Sequence, residues 1–154
     1  MPTRSEPEIE TIHFGPNTFS VERAFFRRIT QSWAGPGWDF MISGRLLQGD
    51  GSLFPQGAHI EAGAAPIQLD KATDHTGVEL NLPGACDEES GEPYFGLRIV
   101  ETRDIFDVHI QFRAKDGQKY LTRLSGTVDR TALRAPTMVE ALVWIEEFPD
   151  HAYC

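Results

Sequence analysis

The chain has 154 residues and a formal net charge of −9, which suits a single domain and argues against nonspecific nucleic-acid binding or attraction to an anionic membrane. Hydrophobic residues make up 40% and ten residues are phenylalanine, so a substantial core is expected. No apolar run approaches a membrane span, the opening MPTRSEPEIE carries no secretory signal, and Cys86 and Cys154 read as free thiols, a pattern that favours the cytoplasm.

Taken in order, residues 1–7 are polar with two prolines and are expected to fray, as are 150–154. Residues 8–14 read as an edge strand that Gly15-Pro16-Asn17 ends. The segment 19–33 reads as an amphipathic helix: at 100° per residue Val21, Phe25, Phe26, Ile29 and Trp33 share a sector, with Arg23, Arg27 and Gln31 opposite. Asn17, Thr18 or Ser20 suits its cap, and Ala34-Gly35-Pro36-Gly37 stops it. The alternative is a strand, because Phe19, Val21, Phe25 and Ile29 also share parity. Next come a strand over 38–47, a turn at Gly49-Asp50-Gly51-Ser52, and short strands over 58–62, 67–70 and 78–82. A loop over 83–93 carries the acidic residues Asp87, Glu88, Glu89 and Glu92. Residues 138–148 read as a strand buried on both faces, although Thr137 and Glu140 also match a helix capping box.

The stretch 94–128 is the most regular. Phe106, Val108, Ile110 and Phe112 alternate with Asp107, His109, Gln111 and Arg113, and the flanking runs alternate likewise. At Asp116-Gly117 a three-residue loop, Lys115-Asp116-Gly117, is preferred, pairing Phe112 with Tyr120, Ile110 with Thr122 and Val108 with Leu124. A two-residue turn at Arg103-Asp104 would pair Phe95 with Phe112 and Leu97 with Ile110. These registers place Phe95, Phe112 and Tyr120 on the core side. They also set Arg98, His109 and Arg123 in a cationic row on the other face, with Arg113 nearby. The expected fold is an antiparallel β-sandwich or open barrel of about seven to nine strands with one helix, forming one domain over 1–154.

Catalytic signatures are absent: there is no phosphate loop, dinucleotide fingerprint, HExxH, nucleophile elbow or paired CxxC. No cofactor and no metal site are expected. The pairs Asp74-His75 and Asp150-His151 read as surface or turn pairs, since neighbouring side chains diverge. His59 and Glu61 share a strand face, which a half-exposed polar surface accounts for. The acidic loop lacks the spacing of a calcium loop. Trp33 and Trp38 are expected to be buried.

Two functional expectations follow. The first is a non-catalytic protein that works through protein–protein contact, its acidity steering a basic partner and Asp87, Glu88, Glu89 and Glu92 making the contact. One concrete form is a bacterial immunity-type inhibitor of a basic toxin. The second is a small-ligand-binding β domain or small enzyme that holds an anion on Arg98, His109, Arg123 and Arg113. Neither involves nucleic acid or membrane.

Overall fold

The computed structural model describes residues 8–31, 36–49, 57–67, 69, 74–89, 91, 93–99, 102–128 and 136–152. They form ten strands: β1 (Thr11–Phe14), β2 (Asn17–Gln31), β3 (Gly37–Gln48), β4 (Gly57–Ala65), β5 (Glu79–Leu82), β6 (Phe95–Arg98), β7 (Thr102–Asp116), β8 (Lys119–Val128), β9 (Thr137–Glu147) and β10 (His151–Ala152). The sheet closes on itself as an eight-stranded antiparallel barrel, not a sandwich or an open barrel. β1 is no edge strand; it lies between β2 and β9 and completes the wall. Beyond its end β2 and β9 meet directly, Phe25 opposite Glu146 and Phe26 opposite Glu147.

Among the described residues there is no helix, and the helix expected over 19–33 is instead the long strand β2. The cause is a bulge. The register between β2 and β3 slips between Val21 and Arg23, so the inward positions change parity along the strand. The fully buried, inward Phe19 and Phe26 are thereby spaced by seven residues, as on a helix face, while Ile29, three residues on, is buried on the opposite face of the strand, outside the core cluster. β-branched and aromatic content, together with pairing along both edges, decides for the strand. The strand expected over 138–148 is present as β9, whereas Ile67 and Leu69 lie outside any strand. Trp33 lies outside the described residues.

Inward side chains from every wall strand merge into one core, as expected when eight strands leave an interior just wide enough for side chains. Phe26 stands at the centre of an aromatic cluster, its ring 5.9 Å from Trp38, 5.4 Å from Phe40, 5.5 Å from Phe112 and 6.0 Å from Tyr120. Trp38 is buried, as expected, and donates its indole N–H to the Leu69 carbonyl at 3.1 Å. His75 departs from expectation. Asp74 is exposed, but the His75 ring, 1% exposed, plugs this aromatic cluster and sets Nε2 3.4 Å from the Glu147 carboxylate. Neighbouring side chains do diverge here, one outward and one into the barrel.

The central strands keep the expected faces but not the expected pairings. Phe95, Phe112 and Tyr120 are all buried. The β7–β8 turn is the two-residue Gly117-Gln118, since Asp116 pairs with Lys119; Gly117, at φ +64, supplies the positive φ that such a turn needs. A bulge between Phe112 and Ala114 then restores the apolar face, so Phe112 opposes Thr122 and Ile110 opposes Leu124. Arg103 and Asp104 make no turn; they lie within β7, opposite Leu97 and Gly96.

Candidate functional site

β5 and β6 pair with the same edge of β7, one after the other: Leu82 lies opposite Val108, and Phe95 opposite Ile105. They are two halves of one barrel strand. Between them the chain leaves the wall and returns, and that excursion carries the acidic loop. Its root is tied at two points. Cys86 forms an antiparallel β-bridge with Pro93, within which Tyr94 N–H donates to the Ala85 carbonyl at 3.0 Å. On β7, Asp107 N–H donates to the Gly84 carbonyl at 2.9 Å while the Asp107 carboxylate accepts from Gly84 N–H at 2.8 Å.

Asp107 sits at φ +55 and Gly84 at φ +77. Glycine adopts that conformation freely, but aspartate does so at a cost, and a strained non-glycine residue persists only where its surroundings fix it. Here a one-residue bulge in β7, between Phe106 and His109, turns the Asp107 backbone and side chain together onto the loop root. Inside the loop, Asp87 folds the tip: its carboxylate accepts from Glu89 N–H at 3.0 Å and its carbonyl from Gly91 N–H at 2.7 Å. Asp87 is half-buried, and Glu88 and Glu89 are exposed. Glu92 lies outside the described residues, as does Cys154; Cys86 is an exposed free thiol.

Beside this loop the outer wall carries a groove of about 470 Å³. One row of paired residues crosses it: Phe25, Met41, Glu61, Gly96 and Asp104, on β2, β3, β4, β6 and β7. Gly96 contributes no side chain, which leaves a trough between Glu61 and Asp104. Arg27 and Asp39, 3.3 Å apart, lie at one side and Pro93 and Tyr94 at another.

Tyr94 links groove and loop. Burial, then the nearby charges of Asp87, Cys86 and Glu88, raise its hydroxyl above the ordinary 10.0. A raised acid favours its neutral form, so any stability it confers is complete below about pH 10 and lost as pH rises through the higher value. Absorbance titration at 295 nm, taken as the difference between the native chain and Tyr94→Phe, is expected to show a phenolate forming later than in a free tyrosine. D87N/E88Q should bring that step down part of the way, because burial is the larger cause. An unmoved step would mean that the loop does not face Tyr94.

The cationic row is not formed. Arg98 pairs with Thr102 and His59. His109 lies seven residues further along β7, roughly 23 Å away at about 3.3 Å per residue. The expectation failed because it let β6 run beside the part of β7 that β5 occupies. His109, Arg113 and Arg123 do share the outer face, but each meets an internal partner. His109 Nδ1 lies 2.5 Å from Asn81 Oδ1. Arg113 Nε donates to Gln111 Oε1 at 2.7 Å, and Gln111 in turn to Glu79 at 2.6 Å. Arg123 lies 3.6 Å from Glu140. Among the described residues no group of three or more His, Cys, Asp or Glu is placed to hold a metal.

Sequence reasoning missed Asp107, Tyr94, Gly96 and Asp104 as site residues, and it set Glu61 aside as part of a half-exposed polar face. Gly96 carried a usable signal, since a lone glycine inside a strand pattern marks a bulge or a close approach. Comparison of the chain with protein-family models, with curated proteins and with solved structures gave no match.

Proposed function

We propose that this is a non-catalytic binding protein that acts through protein–protein contact, presenting Asp87, Glu88 and Glu89 to a basic partner. The observation that carries this reading is the double tie at the loop root, a β-bridge and a strained Asp107 that together hold an acidic excursion at a fixed place on a closed barrel. Binding loops are characteristically set on rigid scaffolds, and bulges gather where a chain must be re-aimed. The interior, filled by apolar side chains, supports recognition on the outer surface. The net charge of −9 adds long-range steering toward a cationic surface. An inhibitor of the immunity type, acting on a basic toxin in the cytoplasm, is the concrete form we favour. The anion-holding alternative loses support because Arg98 stands apart and Arg113, His109 and Arg123 face internal partners.

Affinity capture from extracts of the source organism tests this, with the native chain and D87N/E88Q/E89Q as parallel baits. The native chain is expected to retain a basic protein in stoichiometric amount, and the neutralised loop to lose at least tenfold of it. A partner held equally by both baits would sink the reading, as would an anionic partner or none.

A further inference from the structure

Within the groove, Glu61 and Asp104 stand on either side of Gly96 in a single row of paired residues. Two strand spacings separate their backbones, roughly 10 Å. Neither carboxylate makes an ion pair or hydrogen bond among the described residues, whereas the neighbouring Asp39 is closed off by Arg27. The trough between them stays open because Gly96 has no side chain; a Cβ there would come 3.2 Å from the Thr102 methyl and stand in the opening. Its walls are mainly apolar, with Phe25 and Met41 on one side and Tyr94 and Pro93 at the loop end.

We propose that this trough is the specificity pocket of the binding surface and that it takes an arginine side chain from an extended segment of the partner. The inference rests on reading the chain as a protein-binding module. Two carboxylates on either side of one trough favour a cation that donates in two directions. A guanidinium is planar, carries five N–H donors, and bridges acceptors on opposite edges, whereas an ammonium is a point charge that satisfies one carboxylate at a time. The apolar walls suit the side chain's methylene stem, and the Tyr94 ring supplies a face on which the guanidinium plane can stack. A phosphate or carboxylate ligand would meet two like charges. A purely apolar side chain would bury both carboxylates without a partner.

The probe is a blocked pentapeptide, Gly-Leu-Arg-Leu-Gly, with lysine and citrulline versions, titrated into the 15N-labelled full chain and followed by amide shifts. Saturable shifts are expected at Glu61, Gly96 and Asp104. Affinity should fall about threefold for lysine and at least tenfold for citrulline, which keeps the shape and loses the charge. E61Q/D104N should fall at least tenfold for the arginine peptide. Both substitutions are isosteric on the outer wall, and an unchanged melting curve will confirm that the variant is folded. Equal binding of arginine and citrulline overturns the inference, as does full binding to E61Q/D104N or shifts confined to Asp87–Glu89. The titration needs no partner, so it succeeds or fails separately from the capture experiment. A partner lost on neutralising the loop yet retained by E61Q/D104N would overturn the pocket alone.

Discussion

Phe26→Ala is expected to destabilise the chain by about 3–5 kcal/mol, and Phe25→Ala by about 1 kcal/mol, although the two residues are adjacent. Phe26 is fully buried and its ring meets Trp38, Phe40, Phe112, Tyr120 and the plugging His75. Truncation removes apolar burial and opens a cavity that neighbouring strands cannot close without breaking the wall. Phe25 lies on the outer face, half-buried and stacked on Phe148 with centroids 4.6 Å apart. Its loss costs little more than that stacking. Total stability for a domain is about 5–15 kcal/mol, so Phe26→Ala removes a large share. At about 2–4 °C per kcal/mol for a chain of this size, its melting temperature should fall by about 6–20 °C. The pair also separates strand from helix. On a helix both rings would fall in the sector that faces the core, and both substitutions would be severe. Urea denaturation of the two variants decides the matter.

That contrast also shows where the sequence misleads. Strand faces were legible wherever alternation ran unbroken: Val108, Ile110 and Phe112 on β7 and Tyr120 and Leu124 on β8 all face the core. Bulges were not legible. Each adds one residue and flips parity, and three of them, near Glu22, Asp107 and Arg113, account for most of the discrepancies. The bulge in β2 imitated a helical period. The one at Asp107 hid the fact that β7 serves two partners in succession, β6 and then β5, and the cationic row was lost with it.

The candidate site was legible in its charge and illegible in its geometry. Asp87, Glu88 and Glu89 stand out in any reading of composition. That their loop is an insertion in the middle of a barrel strand depends on Gly84 meeting Asp107 across 23 positions of sequence and on Tyr94 returning to Ala85. Glu61 and Asp104 come from strands that touch only through β6, with Gly96 between them. Local alternation describes which way each of these side chains points, but it cannot say which strands are neighbours; closure of the barrel settles that.

Gly126→Ala should cost about 1–3 kcal/mol, and much of that cost should vanish when Ile105 is also truncated. Gly126 is buried on β8, opposite the stretch of β7 that carries the Asp107 bulge. A Cβ added there would lie 2.3 Å from Ile105 Cγ2 and 3.2 Å from the Phe106 carbonyl oxygen. The extra residue in β7 presses the neighbouring backbone and the Ile105 side chain toward β8, and only glycine leaves room. Ile105→Ala alone should cost about 2–5 kcal/mol, since Ile105 is fully buried. In the double variant the new methyl occupies part of the space that Cγ2 vacates. The summed loss should therefore exceed the measured one by at least about 1 kcal/mol, a coupling within the usual range for residues in contact. Strict additivity would mean that the two positions do not touch, and the bulge that aims Asp107 at the loop root would then be misplaced. Urea denaturation of the two single variants and the double measures that coupling directly.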